Sequence, residues 1–161
     1  MCAKENSKGL PDKETSPKPG SRAYLVYDIL RTASDLRRSY ADIFERRGIT
    51  FQQYNVVRIL RGAGPDGLPT LAIAERLIDE TPGITRLLDR LEAKKLIRRE
   101  RPASNRRQVI CYATPKGLDL LREVDAPLRA RVKASAQSLS DAEVEKLLDY
   151  LGRIRREPCC S

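Results

Sequence analysis

Leu25, Ile29, Ala33, Leu36, Tyr40 and Ile43 recur at steps of three and four residues, with Phe44 beside them. One face of a helix repeats at that interval, so the pattern predicts a long helix over roughly 22–46, ended by Gly48. Thr50-Phe51-Gln52-Gln53 then reads as a capping box. Its hydroxyl meets a backbone N–H three residues on, and the Gln53 side chain reaches back. The helix it opens carries Phe51, Tyr54, Val57 and Leu60 inward, and Gly64-Pro65-Asp66-Gly67 closes it with a loop. Two short helices follow. Thr70 is predicted to cap the first, which would bury Leu71, Ala74, Leu77 and Ile78. Thr81 is predicted to cap the second, with Pro82 at its first position and Ile84, Leu87, Leu88 and Leu91 inward, to about Lys95.

The period then drops to two. Leu96–Arg101 and Gln108–Ala113 read as strands joined by a polar tip, Pro102–Arg107. Thr114-Pro115 opens a helix carrying Leu118, Leu120, Leu121, Val124 and Leu128, with Pro127 inside it. Ser140-Asp141-Ala142-Glu143 opens a last helix with Val144, Leu147, Leu148 and Leu151 on one face. Residues 1–20, broken by Pro11, Pro17, Pro19 and Gly20 and nearly free of large aliphatic side chains, are expected to be a disordered tail. Helix, helix, short helix, tight turn, second helix and hairpin, in that order, describe a winged helix-turn-helix.

Charge sharpens this. The 161 residues hold 31 Lys and Arg against 22 Asp and Glu, a net +9, with no histidine. Nine basic and three acidic residues lie between Ile84 and Arg107, so +6 falls on the predicted recognition helix and hairpin. A polyanion is the natural partner of such a face. Thr81, Pro82 and Gly83 give the helix a narrow leading end. Thr85, Arg86 and Arg90 fall off its apolar face and are candidates for DNA contact. Asp89 and the strand arginines also offer Arg90 structural partners. Asn105, Arg106 and Arg107 are candidates at the hairpin tip, where an arginine can reach a minor groove. Arg98 and Arg99 alternate in a strand, so one is expected to face solvent without a role.

Absences narrow the classes further. Without histidine there is no Ser/His/Asp or Cys/His triad and no His-based metal site. No paired carboxylates or glycine-rich phosphate loop point to an enzyme, and no cofactor is implied. Cys2, Cys111, Cys159 and Cys160 are not spaced for a zinc ribbon, and without a secretion signal or membrane span they read as reduced cytoplasmic thiols. Cys111 alternates with Tyr112 in a strand and reads as a small buried hydrophobe.

The stretches Phe51–Tyr54, Thr81–Glu92, Leu96–Arg99, Asn105–Arg107 and Ala113–Gly117 resemble the MarR family of bacterial transcriptional regulators over roughly residues 22–156. The resemblance implies a mainly α-helical fold with a small β-hairpin wing. A winged helix-turn-helix lobe (49–114) would be flanked by dimerisation helices (21–48 and 115–157), with a flexible end at 158–161. It also implies a homodimer, a palindromic double-stranded operator, and repression relieved by a ligand or by oxidation. Aromatic effectors are common in the family, which makes Tyr24, Tyr27 and Tyr54 candidate pocket residues, although core packing is the plainer reading. Two positions depart from the pattern. Asn105 replaces the usual wing aspartate, which removes a charge-assisted bond. Lys95 replaces the glycine that commonly ends the recognition helix, a left-handed position. A winged helix that binds a partner protein and not DNA, and a thiol-based sensor of the same fold, are the rival readings.

Overall fold

A computed structural model describes residues 17–78, 83–102 and 108–156. It contains α1 (Arg22–Glu45), α2 (Phe51–Ala63), a 3-10 turn (Gly64–Asp66), β1 (Leu68–Pro69), α3 (Thr70–Arg76), α4 (Ile84–Ala93), β2 (Ile97–Glu100), β3 (Ile110–Ala113), α5 (Pro115–Ser135) and α6 (Asp141–Arg156). The strands form one antiparallel sheet in the order β1-β3-β2, with Arg99 opposite Cys111 and Leu68 opposite Cys111 on the other side. The chain divides into two compact units, up to Ser39 and from Tyr40.

In the first unit, α1 carries Leu25, Val26, Tyr27 and Leu30 exposed to solvent. The second unit is built around α2. Thr50 caps it as predicted: the Gln53 N–H donates to the Thr50 hydroxyl, and the Thr50 N–H donates to Gln53 Oε1. Val56, Val57 and Leu60 are buried with Ile43, Phe44, Ile73, Leu88, Leu91, Ile97, Cys111, Leu121 and Val124. Thr114 caps α5 by accepting from the Gly117 N–H. A Cβ on Gly117 would run into the Leu96 carbonyl and crowd Val57, so only glycine lets α5 start this close to the strand. On α6, no residue is buried; Leu147, Leu148, Tyr150 and Ile154 lie exposed.

Three predictions of the pattern are corrected. Thr70 is not a cap but the first residue of α3, after Pro69, and its hydroxyl instead bonds the Cys111 thiol. The buried face of α3 is centred on Ile73; Leu71 is 71% exposed and Ile78 62%. Ala74 and Leu77 are half-buried as the pattern implied, but Ile73 rather than Leu71 is the fully buried residue, and Ile78 lies beyond the helix end at Arg76. A third strand, β1, joins the sheet, and β2 and β3 are shorter than the alternation suggested.

Lys95 carries a left-handed backbone, φ 59°, the one non-glycine residue with positive φ among the described residues. The Lys95 N–H bonds the Glu92 carbonyl at 2.8 Å and the Leu96 N–H bonds the Leu91 carbonyl at 3.0 Å. That pair of bonds is a Schellman motif, with Lys95 at the position glycine usually fills. Buried Leu96 over Leu91 completes its apolar contact.

A polar joint ties α2 to α5. The Tyr54 hydroxyl donates to Asp125 Oδ1 at 2.9 Å and Arg61 Nη1 donates to Asp125 Oδ2 at 2.6 Å. Burial and the bond to Asp125 push the Tyr54 hydroxyl up to about 12. Burial alone would raise the Asp125 carboxyl. The Arg61 and Tyr54 bonds together outweigh it and hold the group below the usual carboxylate value.

Both the left-handed lysine and the polar joint bear on stability. Lys95→Gly should stabilise the fold by about 1 kcal/mol, read from the denaturation midpoint, because it removes a left-handed side chain. Asp125 has a lowered folded pKa, so its contribution is present above the unfolded value of about 3.9 and lost as pH falls through the folded one. Asp125→Asn should therefore cost about 1–3 kcal/mol at neutral pH and flatten the stability loss below about pH 4.

Candidate nucleic-acid interface

Helix α4 has two faces. Leu87, Leu88 and Leu91 are buried and Ile84 is half-buried, which fixes its rotation. Thr85, Arg86 and Arg90 are then turned to solvent. Neither arginine side chain is bonded to another described residue. The pairing offered to Arg90 by Asp89 and the strand arginines is not made, because Asp89 is taken by Arg99. Gly83 is the N-cap, with φ 94°, and α4 begins at Ile84, two residues later than Pro82 at a first helical position would require. Thr81 and Pro82 lie outside the described residues. Among the described residues no side chain caps this end, which leaves its first N–H groups available to an anion.

Behind this face lies a set of contacts that periodicity did not reveal. Arg99 on β2 donates from Nε and Nη2 to Glu92 Oε2, at 2.9 and 2.6 Å, and from Nη2 to Asp89 Oδ1 at 2.6 Å. Its backbone N–H donates to Glu92 Oε1 at 3.1 Å. The bonds to Glu92, ahead of the opposing effect of burial, raise the Arg99 pKa above its already high value. Arg98 lies over the Tyr112 ring, 4.0 Å from its centroid, and pairs with Glu100. Both strand arginines are thus engaged, where one was expected to be idle. The available signal was the i, i+3 spacing of Asp89 and Glu92, which points two carboxylates to one side of α4.

The remaining candidates separate. Asn105, Arg106 and Arg107 lie outside the described residues, as do Cys2, Cys159 and Cys160. Cys111 is fully buried, and burial pushes its thiol up, the opposite of what a reactive thiolate needs. Tyr54 is 5% exposed and held by Asp125 in the core. Tyr24 and Tyr27 on α1 face each other, with ring centroids 6.4 Å apart. A concavity of about 670 Å³ is lined by Pro69, Thr70, Leu71, Glu75 and Val109 among others, with no tyrosine. Among the described residues no group of three His, Cys, Asp or Glu could hold a metal, and no helix is long and apolar enough to cross a membrane.

Known proteins are similar to this chain in sequence and fold. The sequence model of the MarR family matches residues 49–109. The HTH-type transcriptional regulator MgrA of Staphylococcus aureus is 30% identical over 132 residues, which cover 81% of this chain and 86% of MgrA. The crystal structure of an S. aureus MepR–DNA complex superposes with a TM-score of 0.75 at 25% identity, over 86% of this chain and 98% of MepR. A MarR transcription factor from Planctomyces limnophilus gives a TM-score of 0.64 at 32% identity, over 84% of this chain and 98% of that one. Sequence, fold and the two-faced α4 agree: this chain belongs to the MarR family of winged-helix transcription regulators.

Proposed function

We propose that the chain is a sequence-specific DNA-binding regulator that acts as a homodimer, most simply a cytoplasmic repressor. The carrying observation is the outward face of α4. Thr85, Arg86 and Arg90 are exposed and unbonded among the described residues, while Asp89 of the same helix is drawn away by Arg99. That face, led by Gly83 and preceded by Thr81 and Pro82, reads a major groove. Asn105, Arg106 and Arg107 of the 49–114 lobe supply the wing contacts. The MepR structure, solved on DNA, supports the choice of ligand.

The dimer is argued from unpartnered apolar side chains. Leu25, Val26, Tyr27 and Leu30 on α1, Val132 on α5, and Leu147, Leu148, Tyr150 and Ile154 on α6 are all exposed. Apolar surface on this scale marks an association site. We assign residues 21–48 and 115–157 to it. Two-fold symmetry then requires two half-sites about 10 base pairs apart. A dimer seated across a promoter excludes other proteins from it. A small effector that favours the wrong spacing of the two recognition helices weakens both half-sites at once. Tyr24 and Tyr27, rather than the engaged Tyr54, are the residues to test for an aromatic one.

A duplex enriched from a random library by the full chain provides the probe. Binding should fall by about a thousandfold between about 50 and 200 mM salt, and a flat response would favour a protein-binding winged helix instead. Arg86→Ala should weaken binding by about tenfold or more and relax preference at one base pair, with the dimer intact. Leu148→Glu should yield monomers in sedimentation equilibrium and reduce duplex affinity with them.

A further inference from the structure

We propose that Arg99 is the positioning residue that fixes the wing against the recognition helix, so that both reach one DNA duplex in a single register. The inference rests on the DNA-binding reading above and adds to it a residue that does not itself touch DNA. Arg99 is poorly placed to touch DNA, since its side chain is only 24% exposed and its guanidinium is spent on Asp89 and Glu92. Those two carboxylates stand one turn apart on the side of α4 towards β2. A planar guanidinium bridges such a pair; a lysine ammonium, a point charge on a flexible stem, does not hold the same angle.

The contact also reaches the backbone. β2 is an edge strand, paired only with β3 in the sheet, and its outward N–H groups lack a strand partner. Glu92 takes the Arg99 N–H, so the helix holds the main chain of β2 as well as a side chain. β2 and β3 form the base of the hairpin, so holding β2 to α4 fixes where that base lies. The same contact offsets one of the two negative charges that would otherwise oppose Arg86 and Arg90 in front of phosphates, and holds both carboxylates to the side of β2.

The test uses the full chain and the enriched duplex, with Arg99→Gln, Arg99→Lys and Arg86→Ala compared across a salt series. If Arg99 positions the wing, Arg99→Gln loses about tenfold or more in affinity. The slope of log affinity against log salt becomes shallower by about one for each phosphate that the wing no longer reaches. The order of preference among single-base variants of the duplex stays as in the parent. Arg99→Lys falls between, with its slope only partly restored. Parent affinity and slope in Arg99→Gln would overturn the proposal. So would weaker binding with an undiminished slope, which is what a general loss of folded protein produces. Should Arg99→Gln not fold, Arg99→Lys decides alone: a parent slope in that variant overturns the role. If Arg86→Ala binds as the parent does, the DNA-facing reading of α4 has failed; if it binds weakly while the Arg99 variants bind normally, only the positioning role has.

Discussion

The structure depends on the burial of α2. Val56 and Val57 are closed to water on a helix only 13 residues long, with α3, β3 and α5 packed around it. A helix enclosed on so many sides must also satisfy its buried polar side chains in place, within the helix or on a neighbouring element. Gln53 closes the cap and receives Lys94 Nζ from the end of α4 at 3.3 Å. Tyr54 reaches Asp125 on α5, and Asn55 accepts from Arg58. The apolar contacts set how close the elements come, and the polar ones set how they are turned.

Turning is what gives α4 its two faces. Three buried leucines fix its rotation, and that rotation decides which side chains are left over. The helix is close to charge-balanced in its own sequence, with Arg86 and Arg90 against Asp89 and Glu92. Separation by face, and not an excess of arginine, makes one side cationic. Arg99 completes the separation from the strand by absorbing the acidic side.

Much of this was legible in the residues. The 3.6-residue period located α1, α2, α4, α5 and α6 because each carries several apolar side chains over about three turns or more. Thr50 and Thr114 announced their helices because a hydroxyl before a helical run has one chief use. The family's glycine position foretold the left-handed backbone at Lys95. Helix α3 was mis-phased because seven residues contain too few apolar positions to fix a rotation, and Thr70 had a competing partner in Cys111. β1 was missed because two residues, Leu68 and Pro69, carry no alternation at all. The Arg99 contacts were hidden for a different reason: they join a helix to a strand across a turn, and no single-element period records such a meeting.

Gly117 has a consequence for genetics. It lies on α5, away from the outward face of α4, yet a side chain there would press on the Leu96 carbonyl, one peptide beyond the left-handed end of α4. Alleles of this codon would therefore mimic lesions in the recognition helix itself. A collection of regulation-defective mutants sorted only by phenotype would group a packing glycine with the exposed arginines of α4.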